Sequence, residues 1–513
     1  MCLISFKKFV SVSTGLGRGS YSKRKHLRLE ILHIFSVFMT LCLLSACAVG
    51  PDFKRPVTVP PAVLFGTAAG TTALGSQVVS GPMETMWWKL FNDETLSALE
   101  VRAQNTNLDL QLAATRVAQS RARLGFTNAA GLPRFGMSAG YSREALSANG
   151  PMAKLGAHHT PHDLWQGAFD ASWEIDLWGF ARHTSESAAA SMQASAFQQE
   201  GARVSLAAEV ARNYLALRLV QTQLDVASQN QIIAEHALTL AQSRVANGVA
   251  TRYESASASA QLFTVKALTP KLEEQRDALM NALALLLGEA PRTLNSLLAA
   301  SHKTPPVPQQ VPIGLPSELA RRRPDILQAE AQLHAATAAI GIAKADFYPR
   351  IRLVGNLGLQ SLTGSELGIW SSRFFSVGPT LYLPIFEGGR LKSTLALNEA
   401  REKEAAIFYR QTVLRAWHEV DDALSAYAAV QRRDEELGQA FEQSRQAYDV
   451  SLRRYEQGAA DYLMVLTAQR SLLTSQLELA DNTSHISLAM VNLYKALGGG
   501  WAAWANEEAR TKP

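Results

Sequence analysis

Apolar and polar residues alternate along four stretches of this chain. Phe135, Met137, Ala139 and Tyr141 share one face, with Arg134, Gly136, Ser138 and Gly140 on the other. Phe169, Ala171, Trp173 and Ile175 oppose Asp170, Ser172, Glu174 and Asp176. Ile351, Leu353, Leu357 and Leu359 oppose Arg352, Asn356 and Gln360, while Val377, Leu381, Leu383 and Ile385 oppose Gly378, Thr380 and Tyr382. A period of two belongs to strands with one apolar face. It predicts strands over 134–146, 164–178, 350–361 and 373–387. Elsewhere the period lengthens. Val210, Leu217, Leu224, Leu238 and Val245 recur every seven residues, broken only by Gln231, and Val465, Leu472, Leu479, Ile486 and Leu493 do the same. Sustained heptads predict long helices over 182–246, 249–287, 390–456 and 459–497, paired as coiled coils.

The pattern occurs twice. Arg244-Val-Ala-Asn-Gly248 aligns with Arg454-Tyr-Glu-Gln-Gly458, 210 positions on, and the match runs without a gap from Glu209 over Glu419 to Gly288 over Gly498. An earlier block, Leu108-Asp109 to Pro133-Arg134, recurs as Pro324-Asp325 to Pro349-Arg350 at an offset of 216. Units this long are not solenoid repeats. They predict two similar halves, 87–300 and 317–498, divided by the Pro-rich linker 301–316. Gly248 and Gly458 mark the helix-to-helix turns of the two halves.

Four strands with one apolar face suit a barrel between lipid and water, but membrane barrels begin at about eight strands. Open edges are not tolerated in lipid. Several copies, giving eight, twelve or sixteen strands, are therefore expected to close the barrel together. A helix of about 60 residues reaches about 90 Å, some three times the hydrocarbon thickness, so the helices are expected to continue the tube into water.

The basic balance, +5 overall, lies at the N-terminus. Residues 1–46 carry seven Lys/Arg against Glu30 alone, and the rest holds 43 basic and 44 acidic residues. Nothing there calls for nucleic acid. A basic stretch, an apolar run from Ile31 to Leu44 and the ending Leu-Ser-Ala-Cys47 read as a secretory signal, too short for a span. The ending resembles the bacterial lipobox, which makes 1–46 the signal peptide and Cys47 the lipidated first residue. Cys2 and Cys42 leave with the signal, so no disulfide and no catalytic or metal-binding thiol remain. An extended tether (47–86) and a C-terminal tail (499–513) flank the halves.

Val49-Gly-Pro-Asp-Phe-Lys-Arg-Pro56, Trp87-Trp88, Ser172-Trp-Glu-Ile-Asp-Leu-Trp-Gly179, Leu315-Pro-Ser-Glu-Leu-Ala-Arg-Arg-Arg-Pro-Asp-Ile326 and Pro384-Ile-Phe-Glu-Gly-Gly-Arg390 resemble the TolC-like outer-membrane efflux family, in its NodT-type lipoprotein branch. The resemblance covers Val49 to about Gly498. It implies a mainly α chain with a membrane β-barrel, four strands per protomer completing a twelve-stranded barrel in a homotrimer, continued by a coiled-coil helical tunnel in the periplasm. It also implies outer-membrane delivery, a periplasmic adaptor touching the Gly248 and Gly458 tips, and an inner-membrane pump of RND type. In such channels an acid and a tyrosine just past the turn glycine close the tip; Glu254 and Tyr253 fall there. The family's second pair of acids is replaced by Met464 and Thr467, leaving Asp461 as the nearby acid, while Tyr455 matches a tyrosine that ties the two coils together.

Other chemistry reads as ordinary structure. His158-His159-Thr-Pro-His162 is a polar surface loop, Gly388-Gly389-Arg390 a tight turn without a phosphate-loop pattern, and Arg321-Arg322-Arg323 a solvated helix entry. No catalytic constellation, cofactor motif or metal set is expected. The expected function is a passive exit duct for drugs and small toxic compounds. The alternatives are a type I protein-secretion duct and a non-conducting structural lipoprotein of the envelope.

Overall fold

The four alternating stretches form one antiparallel sheet. Its strands are β1 (Arg134–Glu144), β2 (His162–Ile175), β3 (Arg350–Ser361) and β4 (Arg373–Tyr382), hydrogen-bonded in that order. The register pairs Met137 with Phe169, Phe169 with Leu357 and Leu357 with Phe375. A single face therefore carries Phe135, Met137, Phe169, Leu357, Phe375 and Val377, all exposed, with Phe135 at 82%. The opposite face is polar: Ser138 donates to Asp170 (3.2 Å), and Arg352 pairs with Glu174 (3.2 Å). β4 stops at Tyr382, ahead of Pro384, where an N–H is missing.

The computed structural model describes residues 48–57, 76–79, 81–156, 160–302, 304–314 and 319–501, and it divides into two units. The sheet belongs to the unit of residues 1–51, 130–184 and 340–395. In that unit the N-terminal segment lies against the strand ends. Val49 N donates to Trp178 O (3.1 Å), the Trp178 ring stacks on Tyr348 at 4.8 Å, and Trp178 Nε1 donates to Pro349 O (2.8 Å). Gly50, at φ 145°, must be glycine, since a Cβ there would stand 2.7 Å from Gly341 Cα.

The second unit (52–129, 185–339, 396–513) holds most of the helical length. The longer helices of the chain are α1 (Glu94–Thr106), α2 (Leu108–Ala130), α3 (Phe180–Ala246), α4 (Arg252–Lys266), α5 (Leu268–Leu286), α6 (Pro324–Ala345), α7 (Arg390–Glu456) and α8 (Tyr462–Ala496). α3 and α7 have 67 residues each, about 100 Å at 1.5 Å per residue. Neither contains proline. The single helix expected over 249–287 is two helices, α4 and α5, broken at Ala267. Pro270 explains the break: it has no N–H for Lys266 O, and its ring crowds that carbonyl. The unit's main core gathers Trp87, Trp88, Phe91, Tyr214, Leu217 and Tyr494. Beside it Gln77–Val79 pairs in parallel with Gln310–Pro312.

Arg323 departs from the solvated entry expected of it. It is buried, bound to Asp325 (2.7 Å) and Glu419 (2.6 Å), and donates to Ala496 O (2.7 Å). A cation on the last carbonyls of α8 is favourable there.

Candidate functional site

The candidate residues gather at two helix turns built alike. α3 ends on Gly248 (φ 76°) and α7 on Gly458 (φ 74°). Gly248 N donates to Val245 O and Val249 N to Arg244 O, both at 3.0 Å; Gly458 N donates to Tyr455 O (3.0 Å) and Ala459 N to Arg454 O (2.8 Å). This is a Schellman closure, and its left-handed residue favours glycine. Each next helix opens on a side-chain cap. Thr251 and Glu254 form a capping box, with Thr251 N donating to Glu254 Oε1 at 3.3 Å. Asp461 Oδ1 accepts from Met464 N at 3.0 Å.

Between the turns lies a polar latch. The Tyr455 hydroxyl donates to Glu254 Oε2 at 3.0 Å. Arg244 Nη1 donates to Tyr455 O at 2.8 Å, and its guanidinium stands 4.5 Å from the Tyr455 ring centroid. Tyr462 packs on Tyr455 at 5.6 Å. Two turns into α8, Arg470 Nε donates to Gln261 Oε1 at 2.8 Å. Burial, followed by the hydrogen bond to Glu254, pushes the Tyr455 phenol up to about 12, so it stays a donor at neutral pH. Around this latch Tyr448, Tyr462, Val465 and Leu466 cover Ala237, Ala241 and Ala258.

The structure thus brings Glu254 and Tyr455 together. Tyr253 does not join them and stands 66% exposed. Asp461 serves as a helix cap, and Gly248 and Gly458 are the turn residues. Cys47, His158 and His159 lie outside the described residues, and His162 begins β2. Sequence reasoning missed Arg244, Thr251, Gln261, Tyr462 and Arg470. The seven-residue spacing of Tyr448, Tyr455 and Tyr462 was the available signal. Among the described residues no cluster of three His, Cys, Asp or Glu is placed to hold a metal ion, and no helix is long and apolar enough to cross a membrane.

The model of the family described as outer membrane efflux protein matches residues 99–289 and 315–499. The outer membrane protein OprJ of Pseudomonas aeruginosa is 32% identical over 91% of this chain and 95% of its own length. The probable outer membrane lipoprotein SilC of Salmonella typhimurium is 29% identical over 92% of this chain and 99% of its own. Among solved structures, the outer-membrane channel OprN superposes with a TM-score of 0.83 at 31% identity, covering 89% of this chain and all of that one.

Proposed function

The chain belongs to the outer membrane efflux protein family, and on that footing we propose that it is the passive exit duct of a tripartite efflux system. It is an outer-membrane protein of a channel family, not of an enzyme class. Three copies close a twelve-stranded barrel, and their helices continue it as a periplasmic tunnel. A periplasmic adaptor meets the Gly248 and Gly458 tips and joins the duct to an inner-membrane pump of RND type. Cargo is chosen by the pump, so the duct itself carries no binding chemistry.

One observation carries this reading: the sheet's bare apolar face and its two open edges. Trp165 and Trp173 stand on that face eight residues apart in β2, about 26 Å of strand. The apolar band of outer-membrane barrels is about 25 Å tall with aromatic girdles at both rims. Tyr141 packs on Trp165 at 4.6 Å at one end, and the Trp178–Tyr348 stack lies beyond Trp173 at the other. Ala48 sits beside Gly179 at this second rim, which supports a lipid anchor on the preceding Cys47. β1 and β4, each an edge in one protomer, must pair between copies, because unsatisfied backbone groups in hydrocarbon cost several kcal/mol each. Native mass spectrometry in detergent is expected to report a trimer. A folded monomer that conducts by itself would overturn the reading.

The Tyr455–Glu254–Arg244 latch binds the two coils of each protomer and, with Tyr253 exposed beside it, forms the periplasmic gate; Asp461 fixes the start of α8 next to it.

A further inference from the structure

The apolar face of the sheet carries one charge between its two aromatic rims. Along the rungs from Trp165 to Trp173, every described position on that face is uncharged except Arg373, the first residue of β4. Arg373 pairs with Leu359, and Leu359 stands opposite Gly167, two residues from Trp165 towards the middle of the strand. That is about 7 Å inside the rim. A charge on a lipid-facing strand becomes more costly towards the midplane, and a long side chain lowers the cost by reaching back to the headgroup level. Arg373 does so. Its guanidinium stands 4.3 Å from the Trp370 ring centroid, and Nη1 donates to Trp370 O at 2.8 Å.

The loop that presents Trp370 is built for this. Ile369 N donates to Glu366 O (3.3 Å), and Ser372 Oγ donates to the same carbonyl (2.6 Å). Trp370 is left 77% exposed. What the pair lacks is an anion. Beyond the rim, Arg143 is neutralised by Asp163 at 3.2 Å. Arg373 has no carboxylate partner among the described residues, and its bond to Trp370 O leaves most of the guanidinium fork unspent.

We propose that the Arg373–Trp370 pair binds the phosphate of a lipid headgroup in the outer leaflet, a site for membrane lipid and not for cargo. The proposal rests on the barrel reading given above. Ala48 lies at the opposite rim, beside Gly179, and an anchor on Cys47, delivered from the periplasm, holds that rim in the inner leaflet. The Trp165 rim therefore lies in the outer leaflet. The planar fork of arginine matches phosphate through two parallel hydrogen bonds, and stacking on Trp370 fixes the plane of the fork.

The probe is diphosphoryl lipid A, titrated onto the detergent-solubilised protein and counted by native mass spectrometry, beside the same lipid stripped of its phosphates. The wild type is expected to saturate at one phosphorylated lipid per protomer and to bind the stripped lipid about tenfold more weakly, the scale of a charge-assisted hydrogen bond. Arg373→Ala is expected to lose about the same factor, Arg373→Lys less, and Arg143→Ala almost nothing. Equal binding of the two lipids, or equal binding by wild type and Arg373→Ala, overturns the proposal. So does displacement of the lipid by an equal concentration of inorganic phosphate, which marks a site for the free anion. If Arg373→Ala does not assemble, Trp370→Leu and Arg373→Lys decide. Trimers of both that bind the phosphorylated lipid as the wild type does overturn the proposal and assign Arg373 to an acid of the adjacent copy. A monomeric wild type overturns the ring reading beneath the proposal, whereas a wild-type trimer that takes up neither lipid overturns this site alone.

Discussion

Tyr455→Phe removes a single atom from the latch and leaves its packing in place. The ring stays under the Arg244 guanidinium and against Tyr462, and Arg244 still holds the residue 455 carbonyl. What is lost is a 3.0 Å hydrogen bond to a carboxylate, worth about 1.5–3 kcal/mol. Glu254 is only half-buried and water can replace part of that bond, so the net loss is about 1–2 kcal/mol, a factor of 5–30 in a local opening equilibrium. Hydrogen exchange of the detergent-solubilised protein reads this directly. Amides of α4 and of the last turns of α7 are expected to exchange about 5–30 times faster, while those around Tyr214 and Tyr494 keep their protection. Glu254→Gln keeps an acceptor and the capping box, so its effect is expected to be smaller, and Tyr455→Phe added to Glu254→Ala is expected to cost almost nothing more. Unchanged exchange at the tip in Tyr455→Phe, or equal acceleration in the Trp87–Tyr494 core, would refute the latch.

Glu100 is fully buried in α1 with no hydrogen-bond partner among the described residues, and burial raises its carboxyl well above the usual range. A raised carboxyl stabilises the fold below its unfolded value of about 4.3 and loses that contribution as pH rises. Glu100→Gln is therefore expected to raise the melting temperature at neutral pH, with little gain near pH 4; equal melting at both pH values would contradict this. Burial pushes Tyr427, Tyr448 and Tyr455 up to about 12 each. Their neutral forms stabilise the fold fully below about pH 10, and that stability is expected to fade as pH climbs through 12, with helix loss by circular dichroism tracking tyrosinate absorbance. Mass spectrometry of the mature N-terminus is expected to find an acylated Cys47 and no residues 1–46; an unmodified N-terminus elsewhere removes the lipid anchor from the account.

Much of this architecture lies open in the sequence because its elements are long and periodic. The heptad positions Val210, Leu217, Val465 and Leu472 are all buried, since a repeated contact imposes a repeated spacing. Alternation along 351–360 lies within β3 for the same reason, whereas that along 377–385 outruns β4, which ends at Tyr382 ahead of Pro384. What the sequence hides is pairwise and distant. The partner of Glu254 stands 201 residues away, and periodicity carries no information about which hydroxyl reaches which carboxylate. Arg323 read as solvated because a run of three arginines usually is; its burial depends on Glu419 and on the carbonyl of Ala496, both remote in the chain. The signal for the break at Ala267 is Pro270, since a proline inside a helical stretch removes a hydrogen bond and crowds the preceding turn. The resemblance put Glu254 at the tip as a closing acid, and the structure gives one of its oxygens to the helix cap and the other to Tyr455.

The central claim, a conducting trimer, is tested most directly by single-channel recording of the purified protein in planar bilayers, beside native mass spectrometry of the same preparation. The account predicts a trimer with discrete conductance steps and cation preference, the preference weakened by Glu254→Gln as three carboxylates near the axis lose their charge. A folded trimer that inserts but passes no current would contradict it and leave a structural lipoprotein of the envelope in its place.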